Sequence, residues 1–378
     1  MKKRILLIII NALLLAAFFV CLAFSGSIRG TLRSQQAAAV WAGQSGERFA
    51  QISVFLPSGS SFDENSIHSL RESINRALTD ASLEAPEGGR LYADAWSAVG
   101  EAFVTGGRGS ISAQAYGVGG DFFLFHPLIL RDGSYISPID LMRDRVVLDE
   151  ELAWRIFGSS RLAGLEVMIR DTPYNRLHFI AGVVSREDDF ASSKAYTGGA
   201  GMFMSYESLN LLSGGGAEIV CYEIVMPDPI TGFALQTVTD AFPVSDAVIV
   251  ENSSRYSLTS LFDVISSFGE RSMKADGMVY PYWENAARYT EDWLALLLLL
   301  SYALIAYPAV CGVVYGIKGI RFLLKNSRRA VRKKADDRAE RAAEKYRQTH
   351  IEDYVIPDIE EIIREVQEER GSGEEPER

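Results

Sequence analysis

The chain has 378 residues, 48% of them apolar, and carries a formal charge of −11. An acidic chain of this length has room for one or two domains, and its charge balance argues against a nucleic-acid partner. Three cysteines, Cys21, Cys221 and Cys311, are too few and too scattered for a disulfide framework.

Lys2, Lys3 and Arg4 precede an unbroken apolar run over residues 5–24, in which Asn11 is the only strongly polar side chain. A bilayer core of about 30 Å needs about 20 apolar residues in a helix, so this run is long enough to span. A cleaved signal peptide is the alternative for residues 1–25, since Ala23-Phe24-Ser25 is a passable cleavage site. The run exceeds the length of an ordinary signal h-region, which favours an uncleaved anchor.

Residues 49–56 (FAQISVFL) form a strand pattern closed by Pro57-Ser58-Gly59. Asp63 is placed to cap a helix whose apolar positions are Ile67, Leu70, Ile74, Ala77 and Leu78. Pro86-Glu87-Gly88-Gly89 breaks the chain before two strand-like stretches, 91–104 and 110–118. This order predicts a sheet with helices packed on one face. Next come Phe122-Phe123, Leu128-Ile129-Leu130, and the turn Arg131-Asp132-Gly133, where glycine takes a positive φ at little cost. A short buried strand over 145–148 leads to Asp149 as the cap of a helix with Leu152, Ile156 and Phe157 on its apolar face, stopped by Gly158. Strands over 164–169 and 177–184 form a hairpin across residues 171–175.

These residues resemble a family. The series Gly117-Val118, Phe122-Phe123, Leu130-Arg131-Asp132-Gly133, Val146-Val147-Leu148-Asp149-Glu150 and Ala153-Trp154-Arg155-Ile156-Phe157-Gly158 is similar to the periplasmic core domain of MacB-like transporter subunits. So are Ile180-Ala181-Gly182-Val183-Val184 and Phe203-Met204-Ser205-Tyr206. The resemblance covers about residues 28–270 and implies an α+β, two-lobed extracytoplasmic domain, with one α/β lobe and a more β-rich lobe inserted in it. It further implies membership of an ATP-driven machine that works by mechanotransmission. Full FtsX-like permease subunits carry three further spans after the core domain; here one span and a tail follow, a shortened form.

A strand over 217–226 contains Cys221, expected as a buried small hydrophobe. A helix over 233–242, a strand over 247–250 and a helix over 256–268 complete the domain, and residues 280–292 are expected to extend the second span outward as a stalk. That span is the uncharged run 293–317, with Trp293 at an interface. Lys318, Arg321, Lys325, Arg328, Arg329, Arg332, Lys333 and Lys334 follow it, so the positive-inside rule places both termini in the cytoplasm. The expected organisation is therefore a cytoplasmic N-terminus and first span (1–26), an extracytoplasmic core (27–290), a second span (291–317) and a cytoplasmic tail (318–378). Pro308 can kink the second span, and Gly312 and Gly316 offer a close-packing face for a homodimer or another permease span; an ordinary lipid-facing helix is the alternative.

The tail is basic over 318–347, with twelve Lys or Arg against four Asp or Glu, and acidic over 351–378, with eleven against three. The basic part is suited either to anionic headgroups, at about 1 kcal/mol per basic residue, or only to fixing topology. Ile356, Ile359, Ile362, Ile363 and Val366 form an apolar stripe at helical spacing in the acidic part, a docking helix for a partner.

No phosphate-binding Gly-x-x-x-x-Gly-Lys-Ser/Thr occurs, and the clusters Gly198-Gly199-Ala200-Gly201 and Gly214-Gly215-Gly216 read as loops. His68, His126, His178 and His350 lack metal-ligand spacing, and neither a Gly-x-Ser-x-Gly elbow nor a Ser-x-x-Lys is present. An enzyme is not expected, nor is a cofactor. The expected function is a non-catalytic, membrane-anchored subunit of an ABC-type export or mechanotransmission system in a bacterial plasma membrane. Its partners would be a separate ATP-binding subunit and a full permease. An extracytoplasmic sensor or scaffold signalling through its tail is the alternative.

Overall fold

The structure, a computed structural model, describes residues 2–85, 89–171, 174–196, 201–268, 278, 280–351 and 359–371. The breaker Pro86-Glu87-Gly88, the turn residues Thr172 and Pro173, the Gly198-Gly199-Ala200 cluster and Ile356 lie outside the described residues. The chain divides into two units, Met1–Ile305 and Ala306–Arg378.

In the first unit, helix α1 (Lys2–Thr31) leads through a short 3-10 turn to α2 (Ala37–Ala42) and strand β1 (Phe49–Phe55). Helix α3 (Glu64–Asp80) begins where expected, because the Asp63 carboxylate accepts the Ser66 amide at 2.8 Å. Its buried Ile67, Leu70, Ile74 and Leu78 recur at the helical period. Strands β2 (Ala93–Gly106) and β3 (Gly109–Gly120) pair as a hairpin, followed by the single turn α4 (Phe122–Phe125). Then come β4 (Ile129–Gly133), β5 (Arg145–Asp149), α5 (Glu150–Ile156), β6 (Glu166–Asp171), β7 (Tyr174–Ser185), α6 (Ser192–Ala195), β8 (Gly201–Ser205) and α7 (Tyr206–Leu212). Strand β9 (Ile219–Pro227), α8 (Phe233–Ala241), β10 (Val248–Glu251) and α9 (Leu258–Ser266) finish the domain, and α10 (Tyr282–Ile351) begins within it.

All ten strands belong to one mixed sheet in the order β10-β1-β9-β2-β3-β8-β5-β7-β4, with β6 joining β2 and β7. The pairings close a circuit: β2 meets β3, β3 meets β8, β8 meets β5, β5 meets β7, β7 meets β6, and β6 returns to β2. This six-stranded ring is the β-rich lobe, built mainly from the chain between β3 and β9. Closing the ring leaves its strands without free edges, and a ring this small is filled by side chains. Ala102, Val104, Ala113, Val146, Leu148, Ile169, Met202 and Met204 belong to one buried cluster with Leu152 and Ile156 of α5. The other lobe is the antiparallel run β10-β1-β9-β2, sharing β2 with the ring.

Both faces of that run are covered, where the sequence suggested one. Helices α3 and α8 close over Ile52, Val54, Tyr222, Ile224 and Met226. The opposite face, with Phe55, Cys221 and Val225, is covered by α2, α4 and the start of α10. The expected stalk is therefore part of the core: Tyr282, Trp283, Ala286 and Ala287 are all buried. The reason is composition, since the aromatic and alanine positions of this first α10 segment match the apolar sheet face that α2 and α4 cover only in part.

The second unit contains the rest of α10, with Pro308 inside it, and α11 (Ile359–Gly371). Two described helices are long and apolar enough to cross a membrane, Ile5–Thr31 and the apolar part of α10.

Candidate functional site

The most unusual chemistry in the first unit lies on the sheet face covered by α2, α4 and the start of α10. Glu223 is the only charge in the apolar stretch 219–226 of β9, and it is 2% exposed. A buried carboxylate must be hydrogen-bonded or paired to be tolerated. Ser53 Oγ of β1 donates to Glu223 at 2.8 Å, and Nε2 of His126, just after α4, meets its other oxygen. The His126 ring sits between aromatic neighbours, its centre 4.2 Å from that of Trp283 and 4.6 Å from that of Phe122.

From Ser53 the network runs toward the second span. Asn252 donates to Ser53 Oγ at 2.6 Å and accepts from Arg255 at 3.3 Å. Arg255 is 5% exposed and places both Nη atoms on Glu284 at 2.7 Å, with Nε on Glu291 at 2.5 Å. Arg288, one helical turn after Glu284, adds a bond of 2.7 Å to it. Burial works against the charge on Arg255, and the two carboxylates more than offset it, so its pKa stands well above that of free arginine. Fork-like pairing of this kind fixes geometry as well as adding energy.

The segment that follows α1 is fastened to the same face by the same strand. Gln51, fully buried on β1, accepts from Ala37 N at 3.0 Å and donates to Ser34 O at 2.7 Å. Ile28 and Leu32 at the outer end of α1 are buried, and Cys21 and Ile28 pack with Leu297 of α10. Alternate residues of β1 thus serve three attachments on one face: Gln51 the chain after α1, Ser53 the polar network, and Phe55 the ring of Tyr280 at 5.2 Å.

A second buried ion pair lies in the ring lobe. Asp149 caps α5 through Leu152 N at 2.6 Å, also accepts from Gly201 N, and holds Arg186 at 2.7 and 2.9 Å. Arg186 in turn lies over the Tyr196 ring. With both oxygens engaged in capping and pairing, Asp149 has a structural role in closing α5 against β8.

Of the residues the sequence singled out, Pro308, Gly312 and Gly316 lie on α10 in the second unit, and a Cβ added at either glycine would meet no described atom within 4 Å. Ile362, Ile363 and Val366 are exposed on α11, and Ile359 opens that helix. The polar network escaped the sequence reading because its members come from separate elements with no common spacing. Two signals pointed to it: Glu223 alone in an apolar strand, and Glu284, Arg288 and Glu291 ahead of a span.

No family model matches the chain, and no curated protein matches it. Solved structures do. The periplasmic region of MacB from Actinobacillus actinomycetemcomitans is 18% identical, with a TM-score of 0.39 over 59% of this chain and 94% of that one. The extracellular domain of the noncanonic ABC-type transporter YknZ from Gram-positive bacteria is 12% identical, with a TM-score of 0.35 over 53% of this chain and 99% of that one. The first of these is a periplasmic region of MacB, the family that the sequence resembles.

Proposed function

We propose that this chain is a non-catalytic, permease-like subunit of an ABC-type export or mechanotransmission system, its outer domain binding a substrate or partner. The observation that supports this reading is the double attachment of one sheet face, to the segment that follows α1 through Gln51 and to α10 through the Arg255–Glu284–Glu291 cluster. A rigid displacement of either helix then has a directional, hydrogen-bonded route into the outer core. A flexible tether would transmit no such movement. The residues resembling MacB-like subunits supply the link to ATP-driven machines.

In this reading residues 27–290 are extracytoplasmic and both termini are cytoplasmic, in a bacterial plasma membrane, as the positive flanks of the spans direct. Residues 291–317 are the second span and 318–378 the tail. A separate ATP-binding subunit supplies the energy, with a full permease beside it. The exposed Ile362, Ile363 and Val366 of α11 are its docking residues, and the open Gly312 and Gly316 face serves helix–helix packing in a dimer or against that permease.

The test is purification of the intact protein in mild detergent, with bound partners identified by mass spectrometry. An ATP-binding subunit in stoichiometric amount is expected. Cytoplasmic signalling proteins or cell-wall proteins in its place would overturn the proposal in favour of a sensor or scaffold.

A further inference from the structure

A cleft of about 220 Å³ opens where the two lobes meet, between α3 on one lobe and β3 and the start of α7 on the other. That is well beyond the roughly 10–15 Å³ that holds one water. Its shape begins with Gly119 and Gly120 at the end of β3. Gly119 pairs with Trp96 of β2, and a Cβ there would stand 2.2 Å from the indole, so only glycine leaves room for the ring. Gly120 takes φ 62°, and a Cβ on it would lie 2.3 Å from Asp94 O. Trp96 is thereby held in the cleft wall, with the Arg71 guanidinium over its ring at 5.2 Å.

The rest of the lining divides into two halves. One is apolar, made by Val118, Phe122 and Ile136. The other is charged and its balance is positive, with Arg71 and Arg143 set against the carboxylate of Glu207. Asp94 stands buried behind Arg71 and accepts from its Nε and Nη2 at 2.7 and 2.8 Å. This fixes the guanidinium and leaves Nη1 without a described acceptor. The Arg143 side chain is 45% exposed and meets Glu207 at 3.3 Å, longer than an ordinary hydrogen bond, so most of its fork is open. Guanidinium donors beside an apolar wall recognise a carboxylate carried on an apolar body. Apolar surface also follows directly on the cleft in the chain. Pro138 borders it, and the residues after it expose Ile139 at 85% and Leu141 at 96%. Neighbouring apolar side chains open to water mark a contact surface.

We propose that this cleft binds the carboxyl terminus of an apolar peptide. The terminal carboxylate sits on Arg143 and Arg71, the last side chain lies against Phe122 and Ile136, and the preceding residues run along Ile139 and Leu141. This gives the binding role of the outer domain a place and a ligand chemistry. It rests on that part of the proposed function and is independent of an ATP-binding subunit.

Titration calorimetry on the full chain in nanodiscs, with empty nanodiscs subtracted, tests this with the peptide acetyl-Ala-Ala-Leu. The comparison ligands are the same peptide with a C-terminal amide, and acetyl-Ala-Ala-Gly, which keeps the carboxylate and lacks the apolar last side chain. Saturable binding of the free acid is expected, weaker by about tenfold or more for either comparison ligand and in Arg143→Gln. Arg131→Gln, at an exposed arginine of β4 outside the cleft, is expected to bind as the parent does. No saturable binding of the free acid overturns the proposal. Equal binding of acid and amide, or an affinity unchanged in Arg143→Gln, takes the carboxylate out of the cleft and also overturns it. Equal binding of the glycine-ended peptide overturns it by removing the apolar wall. Any of these results with an ATP-binding subunit still co-purifying strikes the cleft and leaves the transport reading standing. Binding as expected without that subunit does the reverse.

Discussion

Arg255, in the turn after β10, grips Glu284 with both terminal nitrogens at 2.7 Å, and Glu284 lies in the first turn of the long helix α10. Both side chains are almost fully buried. The pair joins the last strand of the sheet directly to the long helix α10. Because Glu291 shares the same guanidinium, two turns of α10 are held at once. A buried network of this kind tolerates few alternative arrangements, which suits a joint that has to keep one orientation.

Removing the cation should expose this dependence. Arg255→Met leaves Glu284 and Glu291 buried without the guanidinium they share, and breaking a buried pair typically costs about 3–5 kcal/mol. Denaturant unfolding of the full chain in detergent is expected to show a midpoint lowered accordingly. Replacing all three of Arg255, Glu284 and Glu291 by apolar residues of similar size should restore part of that loss, since both buried carboxylates go with their cation and only Arg288, the least buried of the group, gives up a partner.

The first span has a neutral counterpart in Gln51. Gln51→Ala leaves Ala37 N–H and Ser34 C=O without their partner in a buried site, at about 1–3 kcal/mol. The loss should be local. Hydrogen exchange at the Ala37 amide is expected to accelerate strongly, while amides in the ring lobe, such as those of β5, keep their protection.

The ring lobe depends on a backbone approach that only glycine permits. A Cβ at Gly182 would stand 2.5 Å from Ser134 O and 2.8 Å from Asp132 O, both backbone atoms. Gly182→Ala must therefore separate β4 from β7, and a cost of about 1–3 kcal/mol is expected from overpacking. Thermal unfolding should register it, and Ala181→Gly next to it should not reproduce the effect.

How much of this was legible follows the range of the interactions. Caps and stops were readable because they are local: Asp63 and Asp149 cap α3 and α5, and Gly158, at φ 76°, ends the latter. Gly133 takes the positive φ expected of it, 69°, but the turn expected at residues 131–133 is instead the end of strand β4, whose pairing with β7 is bulged after Leu130. Strand positions followed from alternation and β-branched content. The closure of the ring did not, because β6 returns to β2 across more than sixty residues of chain and its pairing leaves no pattern in either strand. The polar network is the same case. Ser53, Asn252 and Glu284 are brought together only by the sheet order, and no spacing in the chain links the three.

The last expectation concerns acid. His178 of β7 is buried at 1% exposure, and burial pushes its pKa below the ordinary histidine value near 6.5. The Arg176 carbonyl at 3.3 Å, where the ring Nδ1 can donate, and the charge of Asp144 act in the opposite direction without reversing the shift. The folded state therefore binds fewer protons here than the unfolded chain. Stability linked to this group is complete above pH 6.5, falls as the pH drops below that value, and levels off below the lowered folded value. His178→Gln keeps a polar side chain and removes the titration. The difference in unfolding midpoint between the parent and His178→Gln, followed from pH 7.5 down to pH 5, should drift in favour of the variant as the pH falls. A constant difference across that range would mean that His178 gains its proton as easily in the fold as out of it, and that its burial carries no electrostatic cost.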